Sequence, residues 1–250
     1  MNLLNTFGFF LLHLIVLFIY RKYFRHIGLI HDIWFINLDR STERREFMDA
    51  QLQRVSGDIP FHRWPATDGS KMTHKDYSAL DIPAWSKPDF AKESRQKTRK
   101  GEIGCYLSHL ELLRHLQSVP TPHEKGHLIL EDDIILDPLF FKKVEKAAHY
   151  LPADWDILTF GVTVENNGRY KNINKRDIHH NIVRTKWMDG TYAYLVKHKS
   201  IPKILENTEL IREPFDTTLG RLNKNKIINI YAYVPPIVRH RDNDDSTMSA

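Results

Sequence analysis

Apolar and polar positions vary along the chain with two periods that predict strands and helices in turn. Short apolar runs predict strands at residues 33–38, 61–66, 127–130, 156–160, 191–196 and 227–234. Amphipathic stretches predict helices at residues 41–55, 101–117, 140–150, 200–207 and 214–222, the first with Ser41 or Thr42 as its N-cap. Residues 68–100 are rich in Pro, Lys, Arg and Ser and are predicted to be irregular. Strands that alternate with helices predict a single α/β domain from about residue 30 onward.

The strand at residues 127–130 leads directly into three carboxylates, Glu131, Asp132 and Asp133. Burying several acids costs several kcal/mol unless a positive group neutralises them. A hard divalent cation with oxygen ligands is a natural partner, and open α/β sheets bind ligands beyond the carboxyl ends of their strands. The alternative is a solvated acidic turn between two strands.

The N-terminus predicts a membrane segment, because residues 3–20 read LLNTFGFFLLHLIVLFIY. About 18 helical residues span roughly 27 Å, enough for a thin bilayer core. Basic residues follow this run rather than precede it, which favours a retained anchor over a signal peptide or a buried core helix. We therefore predict an anchor with a basic juxtamembrane segment at residues 1–26 and a catalytic domain at residues 27–250. The positive-inside rule places that domain in the cytoplasm, with a lumenal Golgi or ER orientation as the alternative.

Composition narrows the classes of partner. The chain of 250 residues is 42% hydrophobic and 27% charged, with a net charge of +5. A mild positive charge suits nucleotide phosphates or anionic lipid, whereas a nucleic-acid binder would carry a concentrated basic patch. The single cysteine, Cys105, excludes an internal disulfide and argues against a zinc site. We expect Cys105 to pack in the core, and Ser108 and His109 to hydrogen-bond to a neighbouring loop.

Several segments, in order, resemble glycosyltransferase family 25, which includes bacterial lipooligosaccharide galactosyltransferases and collagen galactosyltransferases. The segments are residues 36–40 (INLDR) with Arg44 and Arg45, 66–69 (ATDG), 101–109 (GEIGCYLSH), 128–133 (LILEDD), 155–156, 190–194, 214–216 and 246–247. The resemblance implies a GT-A-like Rossmann-type fold. It also implies inverting transfer of a sugar, commonly galactose, from a UDP-sugar to a glycan or glycoconjugate acceptor, as in lipopolysaccharide biosynthesis.

Such a transfer needs a cation to neutralise the departing pyrophosphate and a base to accept the proton of the acceptor. We assign Mn²⁺ or Mg²⁺ to Asp133 with Glu131 or Asp132. His240, where the family often has Gln, is a further candidate ligand. The candidate bases are Asp216, otherwise a helix-dipole carboxylate, and Asp189, otherwise a turn residue.

The candidate donor-binding residues lie at the ends of predicted strands or on the helices that follow them, where nucleotides dock in such folds. They are Asn37, Leu38, Asp39, Arg40, Arg44, Asp68, Glu102, His109 and Asp132. For Arg44 and Arg45 the alternative is a pair of exposed helix arginines next to Glu43 and Glu46.

Two other functional classes stay open at this point. The same acidic strand would suit a metal-dependent phosphoryl hydrolase or nuclease, although no closely spaced ligands for a second metal are evident. A non-catalytic, membrane-tethered binding module is the third class.

Overall fold

A mixed seven-stranded sheet forms the centre of the computed structural model, which describes residues 28–80, 93–163 and 170–241. Its strands, in chain order, are β1 (Ile30–Asn37), β2 (Phe61–Pro65), β3 (Gly126–Glu131), β5 (Ile157–Thr159), β6 (Ile182–Arg184), β7 (Ala193–Lys197) and β8 (Ile230–Tyr233). Their spatial order is β2-β1-β3-β7-β5-β8-β6. The strands β1, β2 and β3 run parallel, and β7 runs antiparallel to both β3 and β5. A separate antiparallel pair joins β4 (Ile134–Leu136) to β9 (Val238–His240).

Helices cover both faces of the sheet. They are α1 (Thr42–Val55), α2 (His74–Ala79), α3 (Glu93–Gln117), α4 (Phe140–Ala148), α5 (Ile201–Leu205) and α6 (Phe215–Lys224). Along β3, Leu128 and Leu130 pack into the core cluster that contains the buried side chains of α1 and α4. Ile129 points to the other face and packs with residues of α3, α5 and α6. The two-residue period of the strand thus feeds two cores, and the prediction of an α/β fold is confirmed.

The structure corrects several predicted elements. The region predicted to be irregular contains a 3₁₀ turn at Gly69–Lys71, the helix α2 and the first part of α3, which begins at Glu93. Residues 81–92 lie outside the described part of the chain. The strands β6 and β9 were not predicted, because each is three residues long and includes a basic residue, so neither forms an apolar run. Ser41 is the N-cap of α1 but makes no capping hydrogen bond with its side chain.

The prediction of a single-pass membrane protein is corrected. Within residues 28–80, 93–163 and 170–241, no helix has both the length and the apolar character needed to cross a bilayer. The segment on which that prediction rested, residues 1–26, lies outside the described residues, as do residues 246–247 of the last family segment. The domain boundary near residue 27 stays a prediction.

Two glycines allow α3 to lie directly against the loop that follows β2. A Cβ added to Gly104 would stand 2.7 Å from the carbonyl oxygen of Thr67 and 2.8 Å from the amide nitrogen of Gly69. A Cβ on Gly69 would stand 1.8 Å from the carbonyl oxygen of Lys100. Both contacts are with backbone atoms, which cannot rotate away. Neither position therefore has room for a side chain.

This close approach predicts that Gly104→Ala destabilises the protein. Alanine is favoured over glycine inside a helix by about 1 kcal/mol, so helix propensity alone predicts a gain. Overpacking costs about 1–3 kcal/mol, and we expect a net loss of unfolding free energy in urea denaturation. The control is Arg114→Ala on the exposed face of the same helix, which should change the stability by less than about 0.5 kcal/mol. A Gly104→Ala variant as stable as the parent would refute the close contact.

Candidate active site

The acidic turn follows β3 and is held in place by the end of β1. The Asp132 carboxylate accepts a hydrogen bond of 2.6 Å from the Asn37 side-chain amide and one of 3.2 Å from the Arg44 guanidinium. Asn37 is the last residue of β1, and Arg44 lies in the first turn of α1. All three residues are buried. Burial raises the pKa of Asp132, although Asn37 and Arg44 act in the opposite direction.

Asn37 connects the turn to two further segments. Its amide nitrogen also donates to the carbonyl oxygen of Ser41 at 3.0 Å. Its side-chain oxygen accepts from Arg63 of β2 at 2.9 Å, and Arg63 also donates to the backbone carbonyl of Asn37. Asp39 forms an ion pair with the same arginine. One asparagine therefore fixes β1, β2, α1 and the acidic turn relative to each other.

Asp133 lies between Arg44 and His240. The distance from its carboxylate to the guanidinium of Arg44 is 3.5 Å, and that to His240 Nδ1 is 3.8 Å, an ion-pair contact rather than a hydrogen bond. The pairing of Ile134 with His240 in the β4–β9 ladder brings the histidine here. Burial opposes ionisation of Asp133, but His240 and Arg44 outweigh it and lower its pKa, while the interaction with Asp133 raises the pKa of His240. Asp133 Oδ1 is buried and has no hydrogen-bond partner among the described residues.

Glu131 contacts a different set of side chains. Its Oε1 accepts a hydrogen bond of 2.8 Å from the Thr191 hydroxyl and lies 3.5 Å from His109 Nε2. His109 lies on α3 one turn after Cys105, and the ligand atoms of Cys105, His109 and Glu131 all lie within 4.8 Å of one another. Burial and then the charge of Glu131 raise the pKa of the Cys105 thiol well above its usual value. The expectation that Cys105 packs in the core is met only in part, because this residue is half-buried.

The two candidate bases, Asp189 and Asp216, are both next to Gly190, one in the chain and the other through a hydrogen bond. Asp216, in the first turn of α6, accepts hydrogen bonds from the backbone amides of Gly190 at 3.0 Å and Thr217 at 2.7 Å. Asp189, next to Gly190, pairs with Lys171 at 3.0 Å and accepts a hydrogen bond from Asn172. The amide that follows Asp189 therefore orients Asp216.

The remaining candidate donor-binding residues lie around this centre. Arg40 and Asp68 form an ion pair with each other beyond the end of β1. Glu102 pairs with Arg99 on α3 at 3.1 Å. Leu38 is half-buried, and its carbonyl oxygen accepts a hydrogen bond from the backbone amide of Ser41, the N-cap of α1.

Sequence reasoning did not single out Arg63, Thr191 or Tyr192. The Tyr192 ring lies 4.4 Å from that of His240 and fills the space beside Gly190, whose φ of +79° favours glycine. Thr191 and Tyr192 belong to the family segment at residues 190–194, so their position was a usable signal. Arg63 carried no signal, because a lone arginine in a short strand is usually a surface residue.

Comparison with known proteins gives a consistent assignment. The pattern of glycosyltransferase family 25, described as an LPS biosynthesis family, matches residues 30–219. A glycosyltransferase 25 family member of Anopheles gambiae is 31% identical over 174 residues, which cover 66% of this chain and 24% of the mosquito protein. One from Aedes aegypti is 24% identical over 87% of this chain and 32% of its own length. Human procollagen galactosyltransferase 2 is 31% identical over 52% of this chain and 20% of its own length. The chain thus spans about a quarter to a third of the two mosquito proteins.

The buried pairing at the acidic turn predicts that Arg44→Met strongly destabilises the protein. Removing one partner of a buried ion pair costs about 3–5 kcal/mol, because the other charge stays buried without compensation. We expect a loss of this size in the free energy of unfolding measured by urea denaturation.

The matched control is Arg45→Met, one residue along the same helix. Arg45 is exposed and pairs with Asp49 at 3.8 Å, so its loss should cost less than about 1 kcal/mol. Equal effects of the two substitutions would show that Arg44 does not neutralise the turn.

Proposed function

Because the chain belongs to glycosyltransferase family 25, we propose that it transfers a sugar, galactose, from a UDP-sugar to a glycan or glycoconjugate acceptor. We further propose that the anomeric carbon is inverted, that a divalent cation assists, and that the domain is of the GT-A-like Rossmann type. The name of the human relative, a procollagen galactosyltransferase, supports galactose as the sugar.

The observation that carries the proposal is the position of the acidic turn. Glu131 ends β3, a central strand parallel to β1, and Asp132 and Asp133 follow it. Ligands of open α/β sheets bind beyond such carboxyl ends. The turn also receives side chains from α1 and β9, so it stands where separate elements of the chain converge.

The residues of the turn fit a hard divalent cation such as Mn²⁺ or Mg²⁺. Asp133 Oδ1 is a buried carboxylate oxygen without a hydrogen-bond partner among the described residues, and such cations take oxygen ligands. We propose Asp133 and Glu131 as ligands, with His240 beside them. A bound cation would neutralise the charge that develops on the departing pyrophosphate. Asp132 is already engaged by Asn37 and Arg44, so its proposed contribution is to hold the turn in shape.

The proposed nucleotide contacts use the residues beyond β1. Leu38, Asp39 and Arg40 leave the strand at the same edge of the sheet as the acidic turn. Arg40 pairs with Asp68, and we propose that these two residues bind the donor nucleotide together. Glu102 and His109, which both lie on α3, remain candidate donor-binding residues.

We propose Asp216 as the base that accepts the proton of the acceptor hydroxyl. Its carboxylate is oriented by two backbone amides, and these bonds leave its remaining lone pairs able to accept a proton. The carboxylate of Asp189 is instead engaged by Lys171 and Asn172. An ionised carboxylate in a fixed position is what inverting transfer requires.

The first prediction of this proposal concerns the cation. The purified chain should release UDP from UDP-galactose in the presence of Mn²⁺ or Mg²⁺, and excess EDTA should abolish the release. Asp133→Asn should also abolish it while leaving the protein folded, because it removes a ligand and little volume and Asp132 still pairs with Arg44. A panel of UDP-sugars identifies the donor.

The control for Asp133→Asn is Asp58→Asn, an exposed acid in the turn after α1, which should keep full activity. Full activity of the Asp133→Asn variant, or of the parent in excess EDTA, would rule out the metal assignment. Failure to release UDP from any sugar nucleotide would rule out the transferase.

The second prediction separates the two candidate bases. Asp216→Asn should lower the turnover rate by about 10²-fold or more, as expected for the loss of a general base. Its KM for the donor should hardly change, because the substitution keeps the shape of the side chain. Asp189→Asn serves as the matched control and should keep most of the turnover rate. The reverse result, with Asp189→Asn inactive and Asp216→Asn active, would exchange the assignments.

A further inference from the structure

Three residues that come from separate parts of the site form a compact group of potential metal ligands. They are Cys105 and His109 of α3 and Glu131 at the end of β3, with ligand atoms within 4.8 Å of one another. We propose that Cys105 Sγ, His109 Nε2 and the Glu131 carboxylate bind a divalent cation of the zinc class. This proposal departs from the expectation from sequence that a single cysteine argues against zinc, because the further ligands come from a histidine and a distant carboxylate.

The geometry of the group suits this class of cation. Cys105 and His109 are four residues apart, so they lie on the same side of α3. Zinc bond lengths of about 2.0–2.3 Å place tetrahedral ligand atoms roughly 3.3–3.7 Å apart. The 3.5 Å between His109 Nε2 and Glu131 Oε1 already falls in this interval. The third ligand atom, Cys105 Sγ, lies within 4.8 Å of the other two and must approach them by up to about an ångström. Rotation of the cysteine and glutamate side chains can supply this shift.

A second observation points to a ligand at this place. The side chain of His109 is 1% exposed, and its Nε2 makes no hydrogen bond within the described residues. A buried polar atom without a partner is unfavourable, and a bound cation would remove this cost. At 3.5 Å from Nε2 lies Glu131 Oε1, which belongs to one of the proposed ligands.

The ring of His109 is already held in the orientation that a ligand needs. Its Nδ1 lies 3.0 Å from the Tyr194 hydroxyl, and the ring stacks on Phe215 at 5.2 Å with an interplanar angle of 7°. When Nδ1 carries the proton and donates to Tyr194, Nε2 presents its lone pair to the group. A partner on the second nitrogen that fixes the tautomer is the usual support for a histidine ligand.

The group shares Glu131 with the proposed hard-cation ligands but differs from them by its thiol and its buried imidazole. Thiolate and imidazole favour zinc and its chemical relatives, whereas carboxylate oxygens favour Mg²⁺ and Mn²⁺. Cys105 and Glu131 are half-buried, so a cation can enter from the solvent side and keep a water as its fourth ligand. Binding requires the thiolate, so the Cys105 proton leaves to solvent as the metal–sulfur bond forms. The inference rests on this geometry and not on the transfer reaction.

Cobalt(II) is the probe for this site, because a cobalt–thiolate bond absorbs in the near ultraviolet and tetrahedral cobalt absorbs strongly in the visible. Cys105 is the single cysteine of the 250-residue chain, so a thiolate band in this chain reports on this residue alone. Titration with Co²⁺ should give a saturable band with one equivalent bound, and Zn²⁺ should displace it. Absence of the band at saturating Co²⁺ would overturn the proposal.

The variants test whether the cysteine acts with its two partners. Cys105→Ser should remove the band, and His109→Asn and Glu131→Gln should each weaken Co²⁺ binding at least about tenfold, the smallest loss typical even of outer-shell changes. The control is His180→Asn, an exposed histidine with a φ of +49° that asparagine tolerates. If His109→Asn does not fold, Glu131→Gln decides alone. If the folded His109→Asn or Glu131→Gln variant keeps the Co²⁺ affinity and spectrum of the parent, the cysteine binds the cation without that residue. This result would overturn the three-residue site.

This experiment is independent of the transferase assay. A cobalt band without UDP release would contradict the proposed function alone. UDP release from a protein with no cobalt band would contradict the metal site alone.

Discussion

The neutralisation of one buried carboxylate, Asp132, sets the geometry of the whole site. The acid cannot lie in the interior without partners, and Asn37 and Arg44 provide them from the end of β1 and the start of α1. Because both partners belong to regular elements, the turn after β3 has a fixed position. Glu131 and Asp133, on either side of Asp132, are thereby directed to opposite neighbours. Glu131 contacts Thr191 and His109, whereas Asp133 contacts Arg44 and His240.

The sequence allowed a good prediction of the sheet but a weaker one of the contacts at its edge. A continuous apolar run such as that of β3 is enough to predict a buried strand, and this strand is confirmed. Short elements such as β9 have no period, so the contact of His240 with the acidic turn followed only from the resemblance to a family. The role of Arg44 shows a second limit. Its sequence neighbours include acids on the same helix, but its observed partners include Asp132 and Asp133, which are 88 and 89 positions away in the chain.

The site therefore offers two different chemical environments within one turn. Around Asp133 the nearby groups are the Arg44 guanidinium and a histidine exposed at the edge of the β4–β9 pair, and it is here that we propose a hard cation. Around Glu131 the nearby groups are a thiol and a buried imidazole, an environment for a softer cation. Glu131 belongs to both, so the two occupants would compete for one carboxylate. The two environments differ because Glu131 contacts His109 of α3, whereas Asp133 contacts Arg44 of α1.

The central claim is that the acidic turn binds a nucleotide diphosphate through a divalent cation. Isothermal titration of UDP into the 250-residue chain tests this most directly, because it needs neither the correct sugar nor the acceptor. The account predicts one saturable UDP site in the presence of Mn²⁺ and no detectable binding in excess chelator. UDP binding of equal affinity with and without Mn²⁺ would contradict it.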